Sequence, residues 1–113
     1  MNKVFIFFTI VLLQIGSAVR SEEHQPPISA EMFLNAVTAV EKKDFVKAAE
    51  LMEEVIDMVP GEVISLDHLG DIYFAMNRKR EATFFWKQAR DLATPEDKII
   101  EKIDIKLRKY NDS

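Results

Sequence analysis

Apolar residues recur every three or four positions along most of the chain after residue 28, the spacing that places them on one face of an α-helix. No segment alternates apolar and polar residues over the length of a strand. The pattern predicts five helices, at about residues 30–42, 45–59, 63–76, 79–92 and 95–110. We therefore expect an all-α fold.

Short segments that disfavour helix separate these predicted helices. Ser29 is the predicted N-cap of the first helix, and Pro60-Gly61 ends the second. Asn77 suits the left-handed conformation that closes the third helix. Thr94 is the predicted cap of the fifth, with Pro95 as its first helical residue. Such short connections predict that consecutive helices pack as hairpins.

Residues 1–18 differ from the rest of the chain. Lys3 precedes an apolar run from Val4 to Ile15, and Gly16-Ser17-Ala18 supplies small residues after it, a pattern typical of a signal peptide. We predict cleavage near Ala18, a linker over residues 19–28, and a secreted or periplasmic location. An uncleaved membrane anchor is the alternative, although this run is shorter than the roughly 20 residues of a spanning helix.

Charge and cysteine content exclude several classes of protein. The chain has no cysteine, which excludes disulfides, thiol catalysis and cysteine zinc sites. Its net charge of −4 is unsuited to binding nucleic acid. Residues 21–76 carry 12 Asp and Glu against 3 Lys and Arg, whereas residues 77–113 carry 7 against 10. We therefore expect one end of the domain to be acidic and the other mildly basic.

The apolar pattern repeats with a period of 34 residues. A shift of that length places Ala36 on Gly70 and Ala48 on Ala82, so small residues coincide with small residues. The same shift brings Leu66, Leu69 and Tyr73 onto the apolar positions Ile100, Ile103 and Leu107. A fixed period of this length is typical of stacked helical hairpins.

The spacing from Leu66 to Pro95 resembles the tetratricopeptide repeat family. The residues that carry the resemblance are Ala36, Ala48, Leu69, Gly70, Tyr73, Ala82, Trp86 and Ala89. It implies a short α-solenoid of two TPR-like hairpins, 29–62 and 63–96, with a capping helix and tail at 97–113. Asn35 and Lys43 depart from the family pattern, which usually has leucine and glycine there. An unrelated five-helix bundle is the alternative.

The resemblance further implies a concave groove lined by the first helix of each hairpin. Its predicted residues are Phe33, Val37, Val40, Glu41, Ile64, Asp67, His68, Asp71 and Phe74, with Glu101, Ile105 and Arg108 added by the fifth helix. The groove should be apolar at one end and acidic across its middle, and the stacked core should not require its apolar side chains. A matching partner is a protein or peptide segment, apolar with basic residues. The alternative is that the chain's own linker, or a second copy in a homodimer, covers the groove.

Nothing in the sequence predicts catalysis. The chain has no Gly-rich phosphate loop and no His pair at metal-binding spacing. His68 lies one turn from Asp71, a weak candidate for holding a cation. We therefore expect no catalytic residue, metal or cofactor. The predicted function is a non-enzymatic adaptor or assembly factor, and the alternative is a membrane-tethered scaffold that retains its N-terminal segment.

Overall fold

The computed structural model describes residues 27–110, which form five α-helices and no β-strand. The helices are α1 (Ile28–Glu41), α2 (Phe45–Met58), α3 (Val63–Ala75), α4 (Lys79–Leu92) and α5 (Ile99–Tyr110). The all-α prediction is confirmed over this range. The predicted signal peptide and most of the predicted linker lie outside the described residues. None of the five helices is both long and apolar enough to cross a membrane.

The first helix begins earlier than predicted. The N-cap position of α1 is Pro27, whose extended backbone presents its carbonyl oxygen to the N–H groups of Ala30 and Glu31 at 3.0 and 3.2 Å. Ser29 lies inside the first turn and caps nothing, so its predicted role as N-cap is wrong. The backbone of Pro27 starts the helix without a side-chain cap, and Ile28 is helical rather than part of a linker.

The fifth helix begins later than predicted, because residues 94–97 close a turn. The Asp97 carboxylate accepts hydrogen bonds from the backbone N–H and the hydroxyl of Thr94, at 2.8 and 3.2 Å. The backbone N–H of Asp97 donates in return to the Thr94 carbonyl oxygen at 2.9 Å. The predictions that Thr94 caps α5 and that Pro95 is its first residue are therefore wrong.

Left-handed residues end two of the helices. Lys43 and Asn77 both have a φ of 62°, after α1 and α3 respectively, and Gly61 between α2 and α3 has a φ of 85°. The predicted left-handed conformation of Asn77 is confirmed. Asp44 then caps α2, because its carboxylate accepts a hydrogen bond from the backbone N–H of Lys47 at 3.3 Å. These reversals place α1 beside α2 and α3 beside α4.

Each helix packs mainly on its neighbours in the chain, and the buried side chains form two apolar clusters. The first cluster contains Ala36, Ala39, Ala48, Ala49, Met52, Val55, Leu69 and Ile72. The second contains Leu66, Ala82, Trp86, Ala89, Ile103 and Leu107. Of the eight residues that carry the family resemblance, all are buried except Tyr73, which is half-buried. The small residues at the 34-residue period therefore lie inside the core.

Candidate binding groove

An apolar pocket includes two of the nine predicted groove residues. This pocket of about 490 Å³ lies where the first turns of α1 and α3 meet α2, and Phe33 and Ile64 are among its walls. The complete lining is Pro27, Ser29, Ala30, Phe33, Leu34, Val55, Glu62 and Ile64. Most of these side chains are apolar, which is the usual character of a ligand-binding concavity.

Two side chains of this pocket remain largely in contact with water. Leu34 is 64% exposed and Ile64 is 50% exposed. Leu34 was not among the predicted groove residues. Leu34 directly follows Phe33, which was a predicted groove residue. Consecutive residues of a helix point about 100° apart, so the spacing gave no reason to include Leu34. The side chain of Glu62 supplies the charge at the rim and accepts a hydrogen bond from the Ser65 hydroxyl.

His68 packs as an aromatic side chain against α1. Its ring meets the ring of Phe33 edge to face, with a distance of 5.1 Å between the ring centroids. Within residues 27–110 no group of three or more His, Asp or Glu side chains is arranged to hold a metal ion. The observed role of His68 is therefore to link α3 to α1.

The acidic middle of the groove is occupied by a lysine of the same chain. The ammonium of Lys106 on α5 donates hydrogen bonds to Asp67 at 2.9 Å and to Asp71 at 2.8 Å. The indole N–H of Trp86 donates to the same oxygen of Asp71 at 3.1 Å. The side chain of Asp67 is only 4% exposed, so Lys106 supplies the opposite charge for a buried carboxylate. Lys106 thus neutralises much of the predicted acidic surface.

Opposing effects act on the pKa of Lys106. Burial favours the neutral amine and lowers its pKa, whereas the hydrogen bonds to Asp71 and Asp67 favour the ammonium and outweigh burial. The pKa of Lys106 is consequently raised above its ordinary value, and the side chain stays charged at neutral pH. Its ammonium also lies 5.5 Å from the centre of the Trp86 ring.

Several apolar residues of the predicted groove are used by the core. Phe74 packs against two aromatic rings, with its centroid 4.4 Å from that of Tyr110 and 5.8 Å from that of Trp86. Phe33 and Val40 pack against the first apolar cluster. The expectation that the core does not require these side chains is therefore wrong for all three. Of the other predicted groove residues, Val37 is half-buried and Glu41 is exposed.

A hydrogen bond between Tyr73 and Glu53 links α3 to α2. The Tyr73 hydroxyl donates a hydrogen bond to the Glu53 carboxylate at 2.6 Å, and its ring stacks on Phe85 at 5.6 Å. Mainly three effects raise the pKa of Tyr73 to about 12. The hydrogen bond to Glu53 is the largest, followed by burial and then by the negative charge of Glu53. The carboxylate opposes ionisation of the phenol, because the phenolate would lose the hydrogen bond and meet a like charge.

We expect Tyr73 to titrate near pH 12 in the folded protein. Tyr110→Phe leaves Tyr73 as the sole tyrosine, since the chain has two, so absorbance at the phenolate band reports it alone. Because the folded pKa lies above the unfolded value of 10.0, the stability that this contact adds is complete below pH 10 and is lost as the pH rises toward 12. Glu53→Gln should lower the midpoint. An unchanged midpoint in that variant would show that the carboxylate is not the cause.

No protein-family model matches this chain, and no curated protein sequence matches it significantly. Its function is therefore inferred from the residues of the groove, from the open pocket at one end and from the charges that are paired in the middle.

Proposed function

We propose that the protein is a non-enzymatic interaction module that binds a segment of another protein along the α1 and α3 groove. In this proposal its helices form two TPR-like hairpins and a capping helix, and it acts outside the cytoplasm as an adaptor or assembly factor. The 34-residue period and the packing of each helix on its neighbours support the hairpin arrangement. The observation that carries the proposed function is the open apolar pocket between α1 and α3.

The pocket offers apolar surface that a partner could remove from water. Full burial of an aliphatic side chain contributes about 1.5–3 kcal/mol. Leu34 and Ile64 are at least half exposed, so covering them would contribute roughly 2 kcal/mol before the cost of ordering the partner. This supports a modest affinity from the pocket alone, with further contacts along the groove needed for tight binding.

The charges around the pocket favour a partner segment with basic residues. Asp67 and Asp71 are already paired with Lys106, so the middle of the groove attracts cations weakly. Glu62 lies in the pocket lining and Glu41 is exposed at the far end of α1. A segment that places an apolar side chain in the pocket and a Lys or Arg beside Glu62 would satisfy both features.

Selection of displayed random peptides on the full chain tests this function. We expect the selected peptides to combine apolar with basic residues, and to lose at least about tenfold in affinity, or 1.4 kcal/mol, on Leu34→Asp or Ile64→Asp. In either variant the new Asp carboxylate would be buried against the apolar side chain of the peptide, which opposes binding. Fluorescence anisotropy with the selected peptide measures the affinity.

The matched control is Val46→Asp, because Val46 is 63% exposed, nearly the same as Leu34, but lies on α2 outside the pocket. It should leave peptide affinity unchanged. Circular dichroism should show the same helicity in all variants, since each changed side chain is at least half exposed. Peptides that bind equally well to Leu34→Asp, Ile64→Asp and Val46→Asp would contradict a role for the pocket.

A further inference from the structure

The exposed sides of α2 and α4 carry opposite charges. Exposed acidic side chains dominate α2, at Glu50, Glu53, Glu54 and Asp57. Exposed basic side chains dominate α4, at Lys79, Arg80, Lys87 and Arg90. Two of these are already engaged, since Glu53 accepts from Tyr73 and Arg90 lies 3.6 Å from Asp104. The remaining charges face solvent.

The charges on the two helices have the same spacing. Glu50 and Asp57 are seven residues apart on α2, and Arg80 and Lys87 are seven residues apart on α4. Seven residues are about two helical turns, so each pair lies on one side of its helix, with about 10 Å between its members along the axis. Within residues 27–110 none of these four side chains forms a salt bridge.

Exposed apolar side chains accompany both rows of charge. Phe84 is 54% exposed between Arg80 and Lys87 on α4. On α2, Val46 is exposed one turn before Glu50. We call Val46, Glu50, Glu54 and Asp57 the acidic face, and Arg80, Phe84 and Lys87 the basic face. The exposed Asp91 lies one turn after Lys87 and ends the basic row. Each face combines charge with apolar surface, as the rim and centre of a protein interface do.

We propose that the basic face of one molecule binds the acidic face of a second copy of this chain. With the two helices antiparallel, Asp57 meets Arg80 of the second copy and Glu50 meets its Lys87. The same register places Phe84 between these two ion pairs, against the methylene groups of Glu54, and leaves Asp91 opposite Val46 beyond them. A parallel arrangement pairs the same charges, Glu50 with Arg80 and Asp57 with Lys87, and also places Phe84 against Glu54. This interface goes beyond the proposed function, because its residues lie outside the groove.

The contact is heterologous, since two different faces meet. Each molecule that uses its basic face keeps its acidic face free for a third molecule. Association should therefore continue beyond the dimer into a chain or a closed ring. The pocket lining contains no member of either face, so the groove would stay accessible in the assembly.

An anionic membrane is a less suitable partner for the basic face. The protein has a net charge of −4, and the acidic face lies on the neighbouring hairpin. A negatively charged surface would attract Arg80 and Lys87 but repel Glu50 and Asp57. In a chain or ring of copies, a neighbouring molecule on each side satisfies both rows of charge.

Sedimentation velocity of the full chain over a range of concentrations tests the proposal. We expect association at about 0.01 M salt, where the Debye length is about 30 Å, and dissociation at about 1 M salt, where it is about 3 Å. A single monomeric species at low salt and at every concentration would overturn the proposal.

Charge reversal distinguishes this contact from other kinds of association. Glu50→Lys with Asp57→Lys makes both faces basic, and Arg80→Glu with Lys87→Glu makes both acidic. Each double variant should stay monomeric alone, and an equimolar mixture should associate again because opposite faces become available. Association of either variant alone, including association through residues outside the described range, would overturn the proposal.

Two control variants change the net charge equally at other positions. Glu31→Lys with Glu41→Lys on α1, and Lys102→Glu with Arg108→Glu on α5, should still associate, because these exposed residues belong to neither face. Loss of association in both controls would show a general effect of charge and overturn the specific contact.

Sedimentation with vesicles of anionic phospholipid tests the alternative partner, a membrane. A monomer that binds them through Arg80 and Lys87 would also overturn the proposal.

Discussion

Replacing Gly70 with alanine is expected to destabilise the protein by about 2 kcal/mol, the cost of overpacking a tight core. A Cβ atom at Gly70 would overlap the indole ring of Trp86 and lie 3.1 Å from the Ala82 carbonyl oxygen. Trp86 is fully buried, so its ring cannot move aside without disturbing the second apolar cluster. In an ordinary helix interior the same change would stabilise by roughly 1 kcal/mol, so the sign of the effect reports the close crossing. Urea unfolding followed by circular dichroism measures it.

A double-mutant cycle shows whether Trp86 is the cause. Trp86→Phe makes room beside α3, so the loss from Gly70→Ala should be smaller in that background. Gly61→Ala is the control, because its Cβ would meet nothing within 4 Å and its cost arises only from the φ of 85°. That cost should be additive with Trp86→Phe. A stabilising Gly70→Ala variant would contradict the close approach of α3 and α4.

The helices could be predicted because their apolar spacing is regular and their ends carry clear signals. The predicted bounds of α2, α3 and α4 agree with the structure to within one residue. Asn77 and Gly61 mark ends that require positive φ, and such positions restrict the residue types strongly. Lys43 has the same φ as Asn77 without that preference, so the sequence alone did not identify it.

The two wrong helix starts have a common cause. Ser29 and Thr94 are good capping residues, but capping also depends on where the backbone leaves its extended conformation. At Pro27 the backbone starts α1 two residues earlier, and at Thr94 the side chain serves a turn closed by Asp97. A side chain that can cap a helix can equally stabilise a turn, and local sequence does not decide between them.

The groove could be predicted as a set of helix faces but not as a set of contacts. Helical periodicity placed Asp67 and Asp71 on one side of α3, and the structure agrees. It could not show that Lys106 reaches them, because the partners are 39 and 35 residues apart in the sequence. Lys106 lies beside the buried Leu107, and that edge position was the available signal. Which carboxylates Lys106 pairs with depends on how α5 packs against α3, and local sequence does not determine that packing.

The pairing of Lys106 also determines how stability changes at alkaline pH. Because its folded pKa is raised above the ordinary 10.5, the stabilisation from this pairing is complete below that pH. It is lost as the pH rises through the folded value, since the neutral amine no longer balances Asp67. At neutral pH the ammonium is fully present, so substitution is the direct way to measure what it contributes.

Lys106→Met is expected to destabilise the protein by about 3 kcal/mol, the lower end of what removing one partner of a buried ion pair costs. Methionine fills a similar volume but leaves the Asp67 carboxylate buried without its cation. Asp71 is half-exposed and keeps its hydrogen bond from Trp86, so it should contribute little to the loss. Chemical unfolding at neutral pH measures the change, with peptide binding to the apolar pocket as a separate readout.

Two further variants show whether the loss comes from the stranded carboxylate. Lys106→Met combined with Asp67→Leu should recover most of the stability, because replacing both partners of a buried pair by apolar residues is often neutral. Lys102→Met on the exposed side of α5 should change stability by no more than about 0.5 kcal/mol. If Lys106→Met were no worse than Lys102→Met, the pairing with Asp67 would add no stability. If Lys106→Met is unstable while the double variant and Lys102→Met are not, the loss comes from leaving the Asp67 carboxylate buried without a cation. The ion pair would then hold α5 against α3 for that reason.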